Sequence, residues 1–132
     1  MDKKYLKKII AKSPEDLQFI SACCHQAKVK ISDMRYLQKN KIFIIFLERY
    51  NRETEGKKSK INSILKFDFV EKIISQKIDQ NDPDLILKLL AINIFKKNFK
   101  YEIFLLFSNN KIMILTVEAL EITMEDEVKI ND

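Results

Sequence analysis

The chain reads as a single α+β domain spanning residues 1–132. Its core is a mostly antiparallel sheet of about seven or eight strands, curled into a roll or partly open barrel, with one main helix near the N-terminus. Three observations predict this. Short apolar runs with period-two alternation recur along most of the 132 residues. The clearest helix start signal in the chain is Ser13-Pro14-Glu15-Asp16. Successive strand candidates are joined by short turn signals rather than by helical crossovers, which favours antiparallel neighbours.

Lys4 to Ile10 reads as a short strand, closed by Ser13-Pro14-Glu15-Asp16. Ser13 is placed to cap, Pro14 suits the first helical position, and the two acids face the positive helix end. Leu17, Ile20, Cys24 and Ala27 recur at helical spacing, so an amphipathic helix is predicted over about 14–26. The period then changes to two. Val29 and Ile31 share one face while Met34 and Tyr36 have the opposite parity, and a bulge near Ser32-Asp33 would reconcile them. Lys39-Asn40 marks a tight turn into Ile42–Tyr50, a strand apolar on both faces until Glu48 and therefore expected to be central.

Residues 51–60 (NRETEGKKSK) are polar and predict an exposed loop. Leu65, Phe67 and Phe69 alternate with Lys66 and Asp68 as a half-buried strand does. Val70 to Ile78 reads as extended, although Val70, Ile73 and Ile74 also fit a helix. Asp82-Pro83-Asp84 is a turn or the cap of a brief helical turn. Leu87–Phe95 is a strand and Lys96–Lys100 a loop. Tyr101–Phe107 and Lys111–Val117 flank Ser108-Asn109-Asn110, where asparagine tolerates the left-handed conformation of a hairpin turn. The apolar pattern ends at Ile122 and Met124, and the acidic tail, residues 127–132, is expected to fray.

Composition excludes more than it suggests. Gly56 is the only glycine and His25 the only histidine, and there is no tryptophan. Glycine-rich phosphate loops, dinucleotide fingerprints and nucleophile elbows each need glycine at fixed positions, so none is present and no cofactor is expected. Adjacent Cys23 and Cys24 give neither a disulfide framework nor a metal knuckle. With His25 they diverge by about 100° per residue on a helix, which precludes convergence on one ion. The same divergence disfavours a thiol–imidazole dyad, and Asp82 and Asp84 are better explained as turn residues than as paired catalytic carboxylates. No apolar run reaches the ~18–20 residues of a membrane span, so membrane insertion is not expected. The N-terminus lacks an apolar signal region, which makes the cytoplasm the expected location.

The net charge of +5 comes from 21 lysines and 3 arginines against 19 acids. Residues 1–12 hold five lysines and residues 118–132 six acids, so the two ends are expected to lie near each other. Such a basic balance permits nucleic-acid binding, but arginine, the usual phosphate and base fork, is scarce.

Several segments, taken in order, carry a resemblance: EDLQFIS (15–21), MRYL (34–37), ERYNRE (48–53), LKFDFV (65–70), LKLLAINI (87–94) and LTVEALEITMED (115–126). From Ser13 to Asp126 the chain resembles the bacterial domain-of-unknown-function family numbered 2948. Family members often carry Asn-Arg-Phe where this chain has Glu48-Arg49-Tyr50, and paired glycines where it has Asn109-Asn110. The resemblance implies no established activity, so it transfers no catalytic residue. The succession of strands is also similar to pleckstrin-homology-like folds, although the helix here lies near the opposite terminus.

Glu48-Arg49-Tyr50-Asn51-Arg52-Glu53 is the densest polar signal, placed where a strand opens into a loop. Arg49, Tyr50, Arg52, Lys57, Lys58 and Lys60 are therefore the candidate partner-binding residues, with ion pairing within the segment as the alternative. The missing catalytic inventory points to a non-enzymatic binding or adaptor module with a protein partner. A small basic nucleic-acid-binding protein using Lys57, Lys58 and Lys60, and an enzyme of unrecognised chemistry, are the other readings. Tyr101–Phe107 is apolar on both faces, so either the helix or a second subunit is expected to cover its second face.

Overall fold

The structure, a computed structural model, describes residues 3–51 and 59–129. Its elements are β1 (Lys3–Ala11), α1 (Pro14–Cys23), β2 (Ala27–Lys30), β3 (Met34–Leu37), β4 (Ile42–Asn51), β5 (Ser59–Phe67), β6 (Val70–Gln76), β7 (Ile86–Lys97), β8 (Lys100–Phe107), β9 (Lys111–Val117) and β10 (Ile122–Lys129). The described residues form one ten-stranded sheet ordered β1-β10-β5-β4-β2-β7-β8-β9-β6, with β3 also paired to β4. Every pairing is antiparallel. The sheet is curled but not closed.

Alternation along the strands sends one set of side chains inward. Phe43, Ile45 and Leu47 of β4, Leu65 and Phe67 of β5, Ile103, Leu105 and Phe107 of β8, and Ile122 and Met124 of β10 are all buried. Leu17 and Ile20 of α1 join them. The helix packs against β1, β4 and β7, and on the second face of β8 Phe104 and Leu106 are half-exposed. The curl brings β6 beside the β3–β4 turn, where Tyr36 Oη donates to Val70 O at 2.9 Å and Val70 N to Lys41 O at 2.8 Å.

Local sequence signals account for much of this. Ser13 Oγ accepts from Asp16 N at 3.2 Å and Pro14 opens the helix. A 3₁₀ turn at Ile31–Asp33 separates β2 from β3 on the same flank of β4. These extra residues restore parity, so Val29 is buried and Met34 and Tyr36 pack against the core. Asn109 and Asn110 both adopt positive φ, 64° and 60°, in the β8–β9 turn. The chain ends meet through β1–β10 pairing, with Lys8–Glu125 and Lys12–Glu121 each at 3.6 Å.

Other expectations need correction. The sheet has ten strands among the described residues, because Val29–Tyr36 divides in two and β10 joins the sheet. The helix stops at Cys23 rather than Gln26: Gln26 turns at φ 68°, and its N–H donates to Leu89 O at 2.6 Å as β2 begins. Residues 70–76 are strand, excluding the helical alternative. β5 starts at Ser59, well before Leu65. Phe69 does not continue the buried alternation; it sits in the β5–β6 turn at φ 60° and is 42% exposed. The supposed loop Lys96–Lys100 contracts to two residues, Asn98-Phe99, because β7 and β8 pair as far as Lys97 and Lys100. The C-terminal segment is paired to β1 through Lys129, three residues into the predicted tail. Residues 130–132, like most of the predicted 51–60 loop, lie outside the described residues.

Candidate partner-binding surface

The candidate residues lie where β4 and β5 run toward their connection. Cross-strand pairs there are Glu48↔Asn62, Arg49↔Ile61, Tyr50↔Lys60 and Asn51↔Ser59. Period-two geometry separates this set between two faces. Arg49 follows Phe43, Ile45 and Leu47 inward, whereas Glu48 and Tyr50 face outward.

Arg49 is only 4% exposed. Its guanidinium forks onto one carboxylate, Nε to Asp126 Oδ1 at 3.0 Å and Nη2 to Asp126 Oδ2 at 2.6 Å. Ser63 Oγ donates to the same Oδ1 at 2.6 Å. Asp126 and Ser63 are 3% and 2% exposed, so the network is desolvated. The hydrogen bonds to Asp126 push the Arg49 pKa above its ordinary value, against the opposing effect of burial. Planar, bidentate pairing of this kind is the strong form of a charged contact. Arg49 is thus a structural residue of the sheet interior, which corrects its place among surface contacts. Tyr50 and Lys60 do face outward, and Lys60 Nζ lies 3.6 Å from Glu48 Oε1. Arg52, Lys57 and Lys58 lie outside the described residues.

The outward face beside Glu48 contains a groove that the sequence did not reveal. β2 meets β4 through one pair, Lys28↔Glu48, and then follows β7. Beside this divergence is a cavity of about 550 Å³. Phe46, Ile64 and Ile86 supply its apolar surface, and Lys28, Lys30, Asp33, Glu48 and Glu127 its charges. Phe46 is 43% and Ile86 56% exposed. The apolar character of both faces of β4 predicts a central strand. It is central in the sheet, but its second face lines this groove. Tyr50 and Lys60 form the next outward pair along the same two strands.

The Cys-Cys-His triplet is divided by the helix end. Cys24 is buried with its Sγ 3.8 Å from Met124 Sδ, and desolvation pushes its thiol up to about 12. Cys23 is half-buried. His25 Nδ1 donates to Leu90 O at 2.9 Å. No three His, Cys, Asp or Glu side chains among the described residues are grouped to hold a metal ion. No helix among them is long and apolar enough to cross a membrane.

A family model described as "Protein of unknown function (DUF2948)" matches residues 7–131, nearly the whole chain, and the chain belongs to that family. Neither the curated proteins nor the solved structures contain a match.

Proposed function

We propose that this family member is a cytoplasmic, non-enzymatic binding module that takes a protein partner along the outer groove of β2, β4 and β5. The supporting observation is the groove itself: exposed Phe46 and Ile86 beside Ile64, bordered by charges of both signs. Interfaces combine an apolar centre with a polar rim in this manner. Tyr50 and Lys60 extend the surface toward a connection carrying Arg52, Lys57 and Lys58 against Glu53 and Glu55. That basic excess would steer an acidic partner and act more on the association rate than on affinity. A nucleic acid fits less well, because the centre of the groove is apolar and arginine, the usual phosphate fork, is scarce.

The test pairs Phe46→Ser with Tyr50→Ala, two changes outside the core. Affinity capture should lose the partner while circular dichroism stays native. Unchanged recovery would move the site elsewhere, and gel shifts that persist at raised salt would favour the nucleic-acid reading.

Self-association is a companion reading, because α1 leaves Phe104 and Leu106 on the second face of β8 half-exposed. Light scattering showing a strict monomer at micromolar concentration would remove it.

A further inference from the structure

Phe99 is 94% exposed at the tip of the β7–β8 hairpin. The turn has two residues, closed by the Lys97↔Lys100 pair, and Asn98 supplies the positive φ of 56°. A ring left in water there contributes almost nothing to the core, and hairpin turns ordinarily favour Gly, Asn or Asp. Its flanking residues are Lys96, Lys97 and Lys100.

A second phenylalanine is displayed at the same end. Phe69 is 42% exposed and occupies φ 60°, a conformation unfavourable for a bulky side chain. The two turns lie at one end of the sheet: Lys100, at the start of β8, has its Nζ 2.6 Å from Glu71 Oε2 of β6, and Glu118 N, just after β9, donates to Phe69 O at 3.0 Å.

The charges here are unequal. Asp68, Glu71 and Glu118 are each paired, with Lys66, Lys100 and Lys41 respectively. Among the described residues, Lys39, Lys96 and Lys97 have no such carboxylate, so they leave a positive surplus. Glu102, across from Phe95, is the unpaired acid nearest the tip.

We propose that this end of the sheet docks on an anionic membrane surface, with Phe99 and Phe69 entering the lipid interface and Lys96 and Lys97 meeting the headgroups. Protruding rings flanked by lysines suit a bilayer interface, which needs no complementary pocket, whereas protein partners bury aromatics in matched ones. Docking of this kind requires no span. It uses the end of the sheet away from the β4–β5 connection, so it stands or falls independently of the groove.

The test is flotation with two vesicle types, pure phosphatidylcholine and equal parts phosphatidylcholine and phosphatidylserine, at low and raised salt. Binding is expected to the phosphatidylserine vesicles alone, weakening with salt. Phe99→Ser should lower that affinity by about tenfold or more. Lys96→Ala with Lys97→Ala should lower it by about 25-fold, roughly fivefold for each lysine. The chain has no tryptophan, so Phe99→Trp provides a single fluorescent reporter whose emission should shift to the blue on phosphatidylserine vesicles only. Circular dichroism checks that each variant is folded. Absence of binding, equal binding by Phe99→Ser, or an unshifted Phe99→Trp spectrum overturns the proposal. So does loss of self-association in Phe99→Ser without lipid binding by the parent, which assigns the tip to a protein contact.

Discussion

Replacing Arg49 by methionine removes one partner of a pair whose charges are both excluded from water. Asp126, 3% exposed, would then lose the guanidinium fork while keeping its other contacts, Ser63 Oγ among them. Leaving a buried charge without its counterion costs about 3–5 kcal/mol. In a domain of this size that lowers Tm by roughly 10–20 °C. Substituting Asp126→Leu in the same chain removes the second charge. It should return most of the loss, leaving about 1–2 kcal/mol for an unsatisfied Ser63 and imperfect packing. Urea unfolding of the parent, both single variants and the double variant gives the coupling energy directly. A cost below about 1 kcal/mol for Arg49→Met would contradict the reasoning, since it would mean that water reaches the pair.

Ser13→Ala should cost about 1 kcal/mol in thermal unfolding by removing the acceptor for Asp16 N. Asn110→Val should cost about 1–2 kcal/mol, because a β-branched residue is forced to φ 60°, whereas Asn110→Gly should be neutral or stabilising. Cys24 has a folded pKa raised from 9.0 to about 12, so its stabilising effect is complete below 9 and is lost as pH rises toward 12. Cys24→Val should flatten that alkaline loss relative to the parent, and native Cys24 should resist alkylation at pH 8 until the protein unfolds.

Features encoded over a few residues were legible. The Ser13-Pro14 helix start, the Asn109-Asn110 hairpin and the parity change at Ser32-Asp33 each depend on neighbours in sequence, and each appears in the fold. Arg49 was misread because its meaning depends on a contact with Asp126, across 77 residues. A signal was nevertheless present. Arg49 keeps the parity of Phe43, Ile45 and Leu47, and Asp126 that of Ile122 and Met124, so each extends a buried series by one charged step. Phe69 misled in the opposite way, since alternation continues in the sequence after the strand has ended. The groove had no local signature: it arises where β2 leaves β4 for β7, a topological event that brings Ile86 near Phe46 and Ile64.

The binding-module account is tested most directly by quantitative affinity capture from the native host, with the parent compared against Phe46→Ser/Tyr50→Ala. The account predicts one protein or a small set, acidic in character, enriched by the parent at the parent's native fold and lost with the groove variant, with nucleic acid digested beforehand. Equal enrichment by both forms, or enrichment that vanishes on nuclease treatment, would contradict it.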